Sequence, residues 1–400
     1  MSTRIAFVTE SLNLGGTETF MLRLGRYLMH HDCDVHLITT LRPGVWFDQA
    51  DVFQLPHVTI SGYDYSIPVI HAWNIGRYLV RQQYDVVFLN HDHLAQAIIG
   101  MLPNTTVAIP IFHSEHSKQF NISCANSACW NVAVAVGPQL AASVSACLPH
   151  KPIVTIPNGV EGADPAMLSH RKPFALPLQL LYIGRLERAA KNTQILPVIL
   201  DNVCHRGVPV HLTLIGEGPE HHRLEAAFRE YGLEEHVTFL GAQQPNHIYK
   251  YLLNSHALLF PSLSEGFGLV AAEAQACGCV PIASRLQGST EVCVRDGETG
   301  ILVQAGNPDE FTNAIEALAT SPERWAAMSQ AGPLHVHERL SLDVIGQAYL
   351  RLIDDALHDK FPLAHPRKCM PHRAMLHGSD YCFVWTRRLE RAIRAWIRHK

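Results

Sequence analysis

Pro261-Ser-Leu-Ser-Glu265-Gly-Phe-Gly-Leu-Val-Ala-Ala-Glu273 is the stretch on which the architecture turns. An apolar run over 257–260 leads into it and a small, apolar segment over 269–277 leads out, which predicts a strand, a glycine turn and a helix. Seven residues separate Glu265 from Glu273, so the second carboxylate falls about two turns inside that helix. Amides of Gly266, Phe267 and Gly268 and of the helix start at Leu269 can bind phosphate or sugar oxygens. A carboxylate in a cleft suits paired hydroxyls, such as those of a ribose. The plainer reading is a solvated glutamate on a helix. It fits poorly, because Ala271, Ala272, Ala274 and Ala276 make the helix small and apolar, where an ionised group needs a partner.

The same unit recurs in both directions along the chain. Upstream, strands are expected over 180–184, 211–215 and 237–240, with helices over 193–206, 220–231 and 246–254. Downstream come a strand over 280–283 and a helix over 308–320. A Pro/Gly-rich pause over 151–177 separates this half from an earlier one. That earlier half has strands over 4–9, 35–39, 85–89, 107–112 and 132–136 and helices over 17–30 and 70–82. Strand–helix alternation specifies parallel sheets covered on both faces. Two such halves make a bilobal α/β protein whose default site is the cleft beyond the carboxyl ends of the strands.

Composition agrees. Four hundred residues, 47% of them hydrophobic, can bury more than one core. The net charge of −4 asks for no nucleic acid, but it is uneven: beyond His365 nine Lys/Arg face two acids, a net of +7, so the preceding chain carries −11. The ten cysteines contain no Cys-x-x-Cys pair and read as reduced thiols. His91/His93, His221/His222 and His335/His337 reproduce no metal-ligand spacing, so no metal site is expected. With no secretory signal and no run of 18 apolar residues, a cytoplasmic protein is expected.

Two further loops carry candidate chemistry. Leu14-Gly15-Gly16-Thr17 lies between a strand and a helix, where paired glycines let amides approach a phosphate; a structural tight turn explains it equally well. Gly184-Arg185-Leu186 with Lys191-Asn192 leaves another strand. Its two cations could clamp a diphosphate leaving group, or could be solvated loop charges.

Taken together, Glu265 and Glu273 within Ser-Glu-Gly-Phe-Gly-Leu, and Gly184-Arg-Leu with Lys191, resemble the retaining glycosyltransferases of family 4, which have the GT-B fold. Gly15-Gly16, Ile156-Pro-Asn-Gly159, Leu214-Ile-Gly-Glu-Gly218 and Gly297-Glu-Thr-Gly300 stand in the expected order. The resemblance implies two Rossmann-like doubly wound domains, acceptor-side over 1–165 and nucleotide-sugar-binding over 166–345. A helix over 346–360, with a return to the first domain as one course for it, and a basic tail over 361–400 would follow. Gly15 and Gly16 would contact the donor diphosphate, and Arg185 and Lys191 would neutralise it. Glu273 would bind the ribose, while Glu265 and the amides of Phe267 to Leu269 would hold the transferred sugar. The active-site histidine would be His113, at the end of the strand over 107–112, with His116 as the second choice. No metal and no cofactor beyond the nucleotide-sugar co-substrate are implied, since Arg and Lys supply the charge a metal would. Glu161 and Arg188 depart from the family pattern and leave the donor open.

The resemblance further implies hexosyl transfer to a glycan or lipid-linked acceptor, in polysaccharide, lipopolysaccharide or glycolipid synthesis. Residues 380–400 read as an amphipathic helix, with Trp385, Leu389, Ile393 and Trp396 against a polybasic face. That suits an anionic membrane surface on the inner face, or packing on the acidic body or a partner. Rival functions are a nucleotide-sugar epimerase, a non-catalytic partner subunit and a membrane adaptor.

Overall fold

A computed structural model describes residues 2–13, 15–61, 68–115, 117–162, 168–169, 171–363 and 366–367. The expected tail helix over 380–400 and His116 lie outside the described residues. Among the described residues, two all-parallel sheets carry the fold. The first has seven strands: β1 (Thr3–Thr9), β2 (Cys33–Thr39), β3 (His57–Thr59), β4 (Val86–Asn90), β5 (Val107–Phe112), β6 (Ala133–Ala135) and β7 (Ile153–Thr155), in the order β3-β2-β1-β4-β5-β6-β7. The second has six: β8 (Leu178–Ile183), β9 (Val210–Ile215), β10 (Val237–Phe239), β11 (Ala257–Phe260), β12 (Val280–Ser284) and β13 (Ile301–Val303), in the order β10-β9-β8-β11-β12-β13. Both are doubly wound. Their strand order reverses between β1 and β4 and between β8 and β11, which opens a crevice at the carboxyl end of each.

Near-continuous apolar runs make these strands, because a parallel sheet is buried on both faces. Ile5 to Val8, Val86 to Leu89 and Leu258 to Phe260 are all buried. One continuous core fills the first lobe and crosses into the second through Ala271, Ala274 and Cys277; a separate core lies on the far face of the second sheet.

Three differences from the sequence reading have simple causes. The pause over 151–177 begins later than its composition suggests, since β7 extends the first sheet by three residues, too few to show a period. The helix expected over 193–206 is a 3₁₀ turn, Thr193–Ile195, followed by helix Leu196–His205. Pro197 sits in the first turn of that helix, where its missing N–H costs nothing. Helix Pro322–Arg339 has no clean apolar stripe and was not expected.

Three helices matter for the site: α1 (Gly16–Met29), α2 (Leu269–Ala276) and α3 (Leu342–Leu357). Just before α3 the chain bridges back to the first lobe, with Val160 exchanging backbone bonds of 2.9 and 2.8 Å with Leu340 and Leu342. α3 then lies on α1: Tyr349 packs against Phe20 and Phe88, and Gln347 donates to the Tyr27 hydroxyl at 3.2 Å. Beyond it, the Arg367 guanidinium is held by the carbonyls of Cys129, Pro103 and Thr106 and by Asn131 Oδ1. No helix among the described residues is long and apolar enough to cross a membrane.

Candidate active site

The loops after β1, β4, β5 and β6 face those after β8, β11 and β12, so both crevices open on one cleft. Contact across it is intimate. A Cβ on Gly266 would lie 1.8 Å from the His113 carbonyl oxygen, and one on Gly137 2.5 Å from that of Gly288. One on Gly16 would lie 3.1 Å from the Leu269 side chain, so the starts of α1 and α2 meet with their amide ends near one another. Two helix N-termini converging on one spot make a favourable place for an anion.

On the second lobe, Gly216 holds a φ of 138°, and a Cβ there would strike the Gly184 carbonyl at 1.9 Å. The loops after β8 and β9 therefore cross backbone to backbone, and this aims Arg185 outward. Its side chain keeps 66% of its exposure and rests on Glu187 at 2.9 Å. Lys191 and Glu265, assigned separate tasks from sequence, touch each other: Nζ lies 2.5 Å from Oε1, which also accepts from the Ser262 hydroxyl at 2.7 Å. The Lys191 ammonium also sits 5.6 Å above the Phe260 ring. An ammonium and a carboxylate so paired can part around a ligand carrying both phosphate and hydroxyls. Phe267 turns its ring into the core, leaving its amide as the group available to a ligand.

Glu273 is 7% exposed, and its Oε1 lies 2.6 Å from Arg23 Nη1. Arg23 reaches it from α1 of the other lobe and is itself only 2% exposed. Sequence reading passed over Arg23. The signal was there, since it stands three residues after Phe20 and four before Tyr27 on the apolar stripe of the helix.

His113 follows β5 directly and is 7% exposed. Burial, with His91 nearby, holds its pKa well below the usual range, so the ring is neutral. Nε2 lies 3.1 Å from Asn90 Oδ1, which assigns the proton to Nε2, while Nδ1 has no partner among the described residues. His91 beside it adopts a left-handed φ of 50°, and burial lowers its pKa to about 4. Strained backbone at a strand end is common in sites.

Three more carboxylates belong to the first lobe. Glu18, in the first turn of α1, is raised to about 7 by burial, against the opposing pull of Arg185. Glu10, just past β1, pairs with His93 Nδ1, and buried Asp92 is pushed up to about 6 by burial and by Glu10. Glu291 pairs with Arg285 at 3.6 Å.

Comparison with known proteins adds the following. Residues 171–335 match the family described as glycosyl transferases group 1, and residues 14–163 match glycosyltransferase family 4. A D-inositol 3-phosphate glycosyltransferase of Rhodococcus erythropolis is 35% identical over 162 residues; the match covers 38% of this chain and 36% of that protein. An N-acetyl-alpha-D-glucosaminyl L-malate synthase of Bacillus anthracis is 23% identical over 374 residues, covering 87% of this chain and 96% of that one. The fold is shared with Anabaena HepE solved with UDP and glucose, at TM-score 0.74 and 16% identity over 88% of this chain and 100% of that one. It is shared too with WaaB, a lipopolysaccharide outer core galactosyltransferase, at TM-score 0.67 and 19% identity over 90% and 100%.

Proposed function

The chain belongs to the group 1 glycosyl transferases with a family 4 first lobe, and we propose that it moves a sugar from a nucleotide-diphosphate-sugar to a hydroxyl acceptor with retention at the anomeric carbon. The observation that carries this reading is the meeting of the starts of α1 and α2 across the cleft, with Arg185, Lys191, Glu265 and Glu273 around them. The diphosphate would lie between the Gly15-Gly16 amides and those of Phe267 to Leu269, with Arg185 and Lys191 taking its charge. Glu273 would receive the ribose, and Glu265, released from Lys191, a sugar hydroxyl. His113 would face the sugar from the first lobe.

In this arrangement the acceptor hydroxyl attacks from the face the diphosphate leaves. The new C–O bond forms as the bond to phosphate breaks, and the hydroxyl proton passes to the departing phosphate oxygen. Contact between the lobes at Gly266 and His113 keeps water out and favours transfer over hydrolysis. No metal is needed where two cations stand at the leaving group. The acceptor would be a glycan or lipid-linked glycan in polysaccharide, lipopolysaccharide or glycolipid synthesis. Attachment of residues 380–400 to an anionic inner membrane surface would bring the protein to it. Unchanged sedimentation with anionic liposomes after deletion of 361–400 would sink that attachment.

A thermal-shift screen of UDP-, GDP-, ADP- and CMP-sugars tests the donor site. Ligand at a hundredfold excess over Kd stabilises by about 2.7 kcal/mol. One nucleotide class should raise Tm, and Glu273→Ala and Arg185→Ala should abolish the shift. Turnover in excess EDTA and the anomeric configuration of the product check the rest. Binding without product would instead point to a non-catalytic partner subunit.

A further inference from the structure

We propose that Arg23 is a positioning residue for donor recognition: reaching across from the first lobe, it fixes the Glu273 carboxylate by one oxygen and leaves the other for the ribose. This rests on the reading that Glu273 receives the ribose. Arg23 Nη1 meets Glu273 Oε1 at 2.6 Å with both side chains buried. Oε2 has no hydrogen-bond partner among the described residues, and Glu273 keeps 7% of its exposure on the cleft side of that pair, the oxygen we assign to the ligand.

A guanidinium in a helix stripe facing the core is costly unless its surroundings answer its charge. Among the described residues they do so through the second lobe and the segment joining the two. The Tyr249 ring lies 5.7 Å from the guanidinium, and Glu161 Oε2 is 4.0 Å from Nε. Nε itself has no hydrogen-bond partner among the described residues. The first lobe thus holds a buried cation whose main partner is a donor-site carboxylate of the second.

Two consequences follow from that placement. The carboxylate is locked in one rotamer, so a ribose hydroxyl meets a preset acceptor and not a mobile one. The lock also exists only while the lobes are together, so ribose recognition is coupled to closure.

The experiment is isothermal titration of UDP, GDP and ADP, and of their 2′,3′-dideoxy counterparts, into the full chain and its Arg23→Met, Arg23→Gln and Glu273→Gln variants. For the nucleotide that binds, the wild type should prefer the ribose form by roughly tenfold or more, the worth of about one good hydrogen bond to a charged group. Both Arg23 variants should compress that ratio to within about threefold, as should Glu273→Gln. The ratio reads the site in whatever fraction of a variant folds, and Arg23→Gln serves if the Met variant does not fold. If affinities fall in the Arg23 variants while the ratio holds, Arg23 is structural only and the proposal fails. If Glu273→Gln also keeps the ratio, the ribose reading of Glu273 fails with it.

Discussion

At the scale of single residues, burial rather than sequence pattern sets the protonation states of the cleft. His113 is neutral because its ring is buried, and its Nε2–H is spent on Asn90 Oδ1. Replacing that amide by a carboxylate, Asn90→Asp, would favour the imidazolium. The acid limb of the kcat–pH profile should then move up by about one unit or more, with the ¹⁵N resonances of His113 following. An unmoved profile would separate His113 from turnover. Glu18 works in the opposite sense. Its folded-state value of about 7 lies above its ordinary 4.5, so the folded protein binds the extra proton between those values. Its contribution to stability is whole below pH 4.5 and is lost as pH rises through 7. Glu18→Gln should therefore raise Tm at pH 8 and leave it nearly unchanged at pH 4. Equal shifts at both would show that the carboxyl titrates normally.

Elements place these residues, and close backbone approaches place the elements. The loop after β11 can touch the loop after β5 only because position 266 has no side chain. Gly266→Ala meets a carbonyl that cannot step aside, so the lobes should part. We expect kcat/KM to fall about tenfold or more, because small misplacements of reacting groups are costly. The radius of gyration in solution scattering should grow while the circular dichroism stays the same. At the amino ends of β5 and β6, Arg367 donates to three carbonyls and an amide oxygen in one socket, and burial lowers its pKa to about 10. A planar fork suits that socket and an ammonium does not. Both Arg367→Ala and Arg367→Lys should lose about 1–3 kcal/mol in urea unfolding, and cleavage by protease near residue 363 should quicken.

For the whole molecule, the continuity of one core across both lobes predicts one cooperative unfolding transition. Tyr349, the α3 residue wedged between Phe20 and Phe88, should cost about 3–5 kcal/mol on truncation to Ala. A two-step melt of the wild type would contradict that continuity. Much of this architecture was legible beforehand, because buried parallel strands are written as apolar runs and the loops that follow them as glycine, Arg, Lys and Glu. Gly15-Gly16, Gly184-Arg185 and Glu265-Gly266 each fall after a strand, where such patterns place them. The three-residue strands β3, β7 and β13 leave little period to read, and only neighbouring strands reveal where they start and stop. The partners were beyond local pattern altogether. Arg23 is 250 positions from Glu273, Lys191 is 74 from Glu265, and His113 is 23 from Asn90. The sequence alone determined which chemical groups lie at the strand ends, because periodicity and turn chemistry are local. Which of them meet, which are sealed from water and which keep a free oxygen or nitrogen depended on the packing of two lobes, because contact and desolvation arise only when distant segments close on one another.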